Sequence, residues 1–121
     1  MTHFSFVGEL DPVKIWEGVS ARVVSGEQAA LTVVELEPNA HVREHHHPNE
    51  QTGILLRGAV RFRIDDEEKE LRPGDMWVVP ADAPHEVHAG VDGAFIVELF
   101  APPRADWDGF ERLPPSTPAG F

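Results

Sequence analysis

Four histidines fall within seven positions, His41, His45, His46 and His47, and Gln51 follows them at the start of an apolar stretch. Imidazole nitrogen and amide oxygen are ligands for a divalent transition ion, so this segment is first a candidate metal site. In an extended chain, residues two apart share a face. His41, Arg43, His45 and His47 then face one way, and Val42, Glu44 and His46 face the other. His45 and His47 are close enough to chelate one ion, His46 points away, and Gln51 can add an oxygen from the next strand. A third nitrogen must come from elsewhere. The remaining histidines are His3, His85 and His88, and His85 follows "GDMWVVPADAP", a turn, a strand and a proline corner that deliver it at a strand start. With His85 inward, Val87 and Ala89 are inward and His88 is outward.

The elements that must position these residues are strands. Period-two alternation recurs between Gly, Pro, Asn and Asp punctuation, and no ten-residue stretch keeps a helical period. Strands are predicted at Val13 to Glu17, Ser20 to Val24, Ala29 to Glu37, His41 to His47, Gln51 to Leu56, Ala59 to Ile64, Asp75 to Val79, His85 to His88 and Ala94 to Phe100. The acidic run Asp65 to Glu68 reads as a solvated hairpin tip. Nine short strands in 121 residues imply one all-β domain closed as a barrel or jelly roll, which also removes exposed sheet edges. Residues 1–107 form that unit, and the Pro/Gly-rich tail 108–121 lies irregularly over it or frays.

Composition narrows the chemistry. With no cysteine, disulfides, thiolate nucleophiles and sulfur-ligated metals are excluded. A formal charge of −11 disfavours nucleic acid and anionic membrane as partners. A small anion remains compatible, because arginines inside one pocket outweigh a distant, screened surface charge. No apolar run reaches the roughly 18 residues of a bilayer span. The first residues carry no secretory pattern, so a cytoplasmic location is expected.

Two stretches resemble the paired motifs of the cupin superfamily. "HHHPNEQTGILLRG" fits the first motif, with Asn39 at its opening glycine, His45 and His47 as its histidines, Gln51 in place of its glutamate and Gly58 closing it. "GDMWVVPADAPHEVHA" fits the second, with Gly74, Pro80, Asp82 for a glycine, His85, and Ala89 for an asparagine. Asn and Asp tolerate the left-handed conformation better than other non-glycine residues, so these substitutions are mild. The resemblance implies a double-stranded β-helix, a jelly-roll barrel with metal at its mouth. The implied ligands are His45, His47, Gln51 and His85, around one divalent ion (Ni, Zn, Fe or Mn). Because Gln51 brings a dipole where glutamate brings a charge, the ion stays a stronger Lewis acid and favours an anionic substrate.

From about Val13 to Trp107 the chain is also similar to the small cupins of pectin and alginate breakdown, the KdgF type. These linearise 4,5-unsaturated uronate monosaccharides, and the resemblance implies a homodimer formed through N-terminal strands. In "ELFAPPRADW" it places Glu98, Phe100 and Arg104 at the positions of a catalytic Asp, aromatic and Arg. The residues support this independently. Glu98 and Phe100 share a face, and an inward carboxylate in an apolar strand needs a partner or a function. Arg104 can hold a substrate carboxylate in bidentate fashion, or pair with Glu98 and pin the C-terminal segment. Arg43 is a candidate substrate contact on the ligand face, and His41 a hydrogen-bonded barrel histidine on that face. Arg61 and Arg63 read as solvated, and Trp16, Trp77 and Trp107 as core or interface aromatics. Two other functions remain open, a metal-dependent dioxygenase of a small organic substrate and a non-catalytic sugar-binding barrel.

Overall fold

A computed structural model of the chain describes residues 2–119 and Phe121. The strands are β1 (Val13–Trp16), β2 (Val19–Ser25), β3 (Ala30–Leu36), β4 (His41–His45), β5 (Glu50–Ile64), β6 (Glu67–Leu71), β7 (Met76–Val79) and β8 (His85–Ala101). All pair antiparallel in the order β1-β2-β3-β8-β5-β6, with β4 added to β8 and β7 to β5. This is a jelly-roll barrel whose spine is the β5–β8 ladder.

The ladder explains two departures from the expected strands. Arg57-Gly58 and Gly90 to Gly93 read as turns that end strands, but here they are corners within two long, bent ones. Gly58 and Gly93 both have positive φ, 82° and 74°, and the ladder slips on both sides of Gly58, between Leu55 and Arg57 and between Gly58 and Val60. A Cβ on Gly58 would lie 2.1 Å from the Gly93 carbonyl oxygen, so no side chain fits where the strands fold over each other. The acidic run also divides. Asp65, with φ 52°, and Asp66 make the hairpin tip, whereas Glu67 to Leu71 form β6, paired with Val60 to Ile64. Its four exposed charged residues blunt a strand that lies at the end of the sheet.

Alternating residues of the strands fill the barrel. Val13, Ala21, Leu55, Val79 and Phe100 are at most 2% exposed. Truncating one of them, as in Leu55→Ala, costs about 2–5 kcal/mol in lost transfer energy and residual cavity. The tail lies over the barrel. The Lys14 N–H donates to the Glu111 carbonyl and the Leu113 N–H to the Pro12 carbonyl, Arg22 donates to Ser116, and Pro118 is fully buried. Among the described residues no helix is long and apolar enough to cross a membrane.

Candidate metal centre

The inner face of the β4–β8 pair carries two of the three histidines that meet at the barrel mouth. His41 pairs with His88 and Val42 with Val87, but His45 pairs with His85, so three steps on β4 match two on β8. Arg43 and Glu44 thus share the place of one residue, a β-bulge. Val42 and His45 both face the cavity. The expectation that His41 and Arg43 share the ligand face is thereby corrected, because period-two counting breaks across a bulge. His41 lies on the outer face. Arg43 is exposed and lines a separate groove with Trp16 and Glu37, away from the ligand face.

His47 lies beyond β4 in the "HPN" turn, and His85 opens β8. Side-chain donor atoms of His45, His47 and His85 all lie within 4.8 Å of one another. Each ring is oriented by a backbone carbonyl at its Nδ1: Arg43 O for His45 at 2.7 Å, Asn49 O for His47 at 3.0 Å and Ala83 O for His85 at 2.9 Å. An Nδ1–H donated to a carbonyl leaves Nε2 as a bare lone pair, the tautomer a metal requires. The carbonyls come from three local devices. The bulge presents Arg43 O. Asn49, buried, ties the turn to the Pro102 and Pro103 carbonyls through its amide. The "PADAP" corner presents Ala83 O, with Asp82 left-handed at φ 63° and its N–H on His47 O. Asn39 is also left-handed, φ 61°, as its place in the first motif requires.

Electrostatics keep the trio neutral. Burial lowers all three histidines below the ordinary imidazole range, His85 to about 4, and the positive charge of Arg104 acts in the same direction. The His85 Nε2 is buried with no hydrogen-bond partner. An orphaned lone pair is costly to bury unless something binds it. At His47, Nε2 faces the Gln51 Oε1 at 3.1 Å. With the His47 proton on Nδ1 both atoms are acceptors, which suits two ligands of one cation better than a hydrogen bond. The residues therefore fit a divalent ion.

The other end of the Gln51 amide donates to Glu98 Oε2, which also accepts from Trp77 Nε1 at 3.0 Å. An amide is the side chain that can present oxygen to the histidines and N–H to the carboxyl together; a glutamate would set two carboxylates face to face. Glu98 is buried, and burial pushes its carboxyl up to about 7 against the opposing pull of Gln51, Trp77 and Arg104. The reading of Trp77 as a core aromatic missed this role. Gly53 gives the signal. It sits opposite both Trp77 and Glu98 in the sheet, and a Cβ there would fall 2.5 Å from the indole. A glycine inside a strand marks such a close approach.

Arg104 does not pair with Glu98. It forms a two-pronged pair with Asp106, Nε to Oδ1 at 2.9 Å and Nη2 to Oδ2 at 2.7 Å, and stacks on Phe100 and Trp107 at 5.2 and 4.8 Å from the ring centroids. His45, Gln51, His85, Glu98, Arg104 and Asp106 all line one cavity of about 380 Å³. Phe100 contributes to the same wall and contacts the His47 ring edge-on. The structure thus brings together every residue expected at the site except Arg43. Asn49, Gly53 and Asp106 are supporting residues that sequence reasoning had left unassigned, and Trp77 is one it had read only as a core or interface aromatic.

Residues 32–100 match the cupin domain family model, and the chain belongs to that family. Among solved structures it is similar to KdgF from Halomonas sp., with 24% identity, TM-score 0.79 and coverage of 88% of this chain and 98% of that one. It is also similar to an RmlC-like cupin from Shewanella frigidimarina NCIMB 400, with 22% identity, TM-score 0.81 and coverage of 88% and 96%. At such identities the likeness is one of fold. Among curated proteins it resembles the oxalate decarboxylase OxdC of Bacillus subtilis (strain 168), 28% identical over 79 residues, and spans 20% of that protein's length.

Proposed function

We propose that the chain is a metal-dependent enzyme that moves a proton on a small carboxylate, with 4,5-unsaturated uronate monosaccharides as its substrate class. The observation that carries this reading is Glu98, a buried carboxyl poised near neutrality in the wall of the cavity that His45, His85 and Arg104 share. A group that titrates near the working pH is suited to both giving and taking a proton. The uronate itself comes from the resemblance around Glu98, Phe100 and Arg104 and from the fold shared with KdgF.

His45, His47, His85 and Gln51 would hold one divalent ion, which when bound supplies Lewis-acid polarisation of a substrate oxygen. The chain's own residues do the rest. Arg104, paired with Asp106 through Nε and Nη2 and stacked on two aromatic rings, would offer its Nη1 to the substrate carboxylate. Linearisation breaks the ring C–O bond as the anomeric hydroxyl gives up its proton. The released enol becomes a ketone when the alkene carbon takes a proton. Glu98 carries that proton, and no electron is gained or lost. Gln51 and Trp77 hold the Glu98 Oε2 in place while this occurs.

The test is loss of the conjugated-alkene absorbance of unsaturated galacturonate or guluronate with metal-loaded protein. Acceleration above the spontaneous rate is expected, and no acceleration with any unsaturated uronate sinks the reading. A second reading, a dioxygenase of a small organic substrate, is favoured by one observation. Part of the cavity wall is formed by Val34, Leu36, Phe62, Val87 and Ile96, none of which can pair a sugar hydroxyl. Oxygen uptake with a diketone or flavonol, together with a redox-active metal in the purified protein, would favour that reading.

A further inference from the structure

We propose a second, exchangeable divalent-metal site on the outer face of the barrel, formed by His41, Glu86 and His88. His41 and His88 are direct cross-strand partners on β4 and β8, and Glu86 precedes His88 by two on the same strand, so all three project from one face. Their ligand atoms lie within 4.8 Å of one another. The two imidazoles stack, with centroids 4.0 Å apart and planes 14° apart. Both Nε2 atoms approach the same carboxylate oxygen, Glu86 Oε2, at 2.5 Å from His41 and 3.6 Å from His88.

These separations bracket what one ion demands. Ligands about 2.1 Å from a tetrahedral zinc stand roughly 3.4 Å apart, so small rotations of exposed side chains close the site. The ion would replace the His41–Glu86 hydrogen bond with two bonds to itself. The other Glu86 oxygen is already engaged, by Arg63 at 3.2 Å, which leaves Oε2 as the one presented. The same Arg63 nitrogen is paired with Glu44 at 2.5 Å, so its positive charge is offset locally. Two nitrogens and one oxygen select a borderline ion such as zinc, nickel or copper over magnesium or calcium. Side-chain exposures of 26–49% leave the remaining coordination positions to water, which makes the ion exchangeable.

The bulge places this site back to back with the inner centre. The strand pair that turns His45 and His85 inward turns His41 and His88 outward, so the two sites bind independently through separate side chains.

Zinc titration of the untagged full chain, followed by calorimetry and native mass spectrometry, tests the assignment. Wild type is expected to take two ions, one tight and one weaker. His88→Asn, at an exposed position, and Glu86→Gln, at a half-buried one on the outer face, should weaken the second ion by at least about tenfold and keep the first. His45→Ala should keep the weaker ion. Zinc should also shift the His41 and His88 imidazole nitrogen resonances in wild type. Saturation of wild type at one ion, or a second ion of unchanged affinity in both His88→Asn and Glu86→Gln, would overturn the site.

Discussion

Two histidine clusters share the β4–β8 pair, and they differ in what holds their rings. In the inner one, His45, His47 and His85 each bond a main-chain carbonyl through Nδ1, and burial keeps them neutral. In the outer one, His41 and His88 lean on a side-chain carboxylate, Glu86, at the surface. A backbone carbonyl in a corner or bulge fixes a ring before any ligand arrives, whereas a carboxylate on the outer face of β8 only gathers rings that remain free to turn. Preorganisation, not the number of histidines, distinguishes the inner trio from the outer cluster.

The largest break in this comparison should come from His85→Ala. Loss of a ligand should weaken the inner ion by more than the ~10–100-fold typical of supporting residues. Zinc titration should show the inner ion lost with the outer one retained; equal weakening of both would mean that the clusters are not separate. Next is Glu98→Gln, which keeps the shape and removes the proton carrier. With metal content unchanged, turnover of an unsaturated uronate should fall about 10²–10⁴-fold, the usual contribution of a general acid or base. Retained turnover would remove Glu98 from the chemistry.

Gly53→Ala should displace the Trp77 indole and cost about 1–3 kcal/mol through overpacking. Losing one donor to the Glu98 carboxylate should also move the acidic limb of the pH–rate profile upward. A melting curve and pH profile like those of wild type would show that the close approach is slack.

The pH dependence of the metal-free chain has a definite sign. The inner histidines are depressed, so their stabilisation is present above the unfolded value of 6.5 and lost as pH falls, for His85 through about 4. Glu98 is raised, so its contribution is present below 4.5 and lost as pH rises through about 7. Between 4.5 and 6.5 three imidazoles oppose one carboxyl, and the melting temperature should fall on acidification. A flat or rising melting temperature through that window would show the trio to be readily protonated. The smallest effect is expected from deleting Glu44. The ladder becomes regular and His45 stays opposite His85, but the carbonyl that the bulge presents to its Nδ1 is displaced, so the inner ion should be kept and weakened by about tenfold; its outright loss would mean that the bulge does not set the face.

Much of this was legible in the residues. The motif spacing placed His45, His47, Gln51 and His85 together, and two of the three non-glycine positive-φ positions, Asn39 and Asp82, were readable because few non-glycine residues tolerate that conformation. The failures have physical causes. Arg43 and the continuity of β5 and β8 were misjudged because alternation assumes an unbroken strand, and β6 because its four charged residues carry no apolar alternation. Bulges and left-handed corners shift the count without altering residue types. Trp77 escaped because its partner Glu98 is 21 residues away, across the sheet.

The sequence by itself determined the β class, the absence of cysteine, the acidic composition and which histidines meet at the barrel mouth, because composition and local spacing carry them. Only the tertiary structure decided which way each histidine faces, that Arg104 pairs with Asp106 and not Glu98, and that Gln51 bridges the histidines to a buried acid. Those outcomes depend on register between distant strands, where a one-residue slip moves a side chain from the cavity to the solvent.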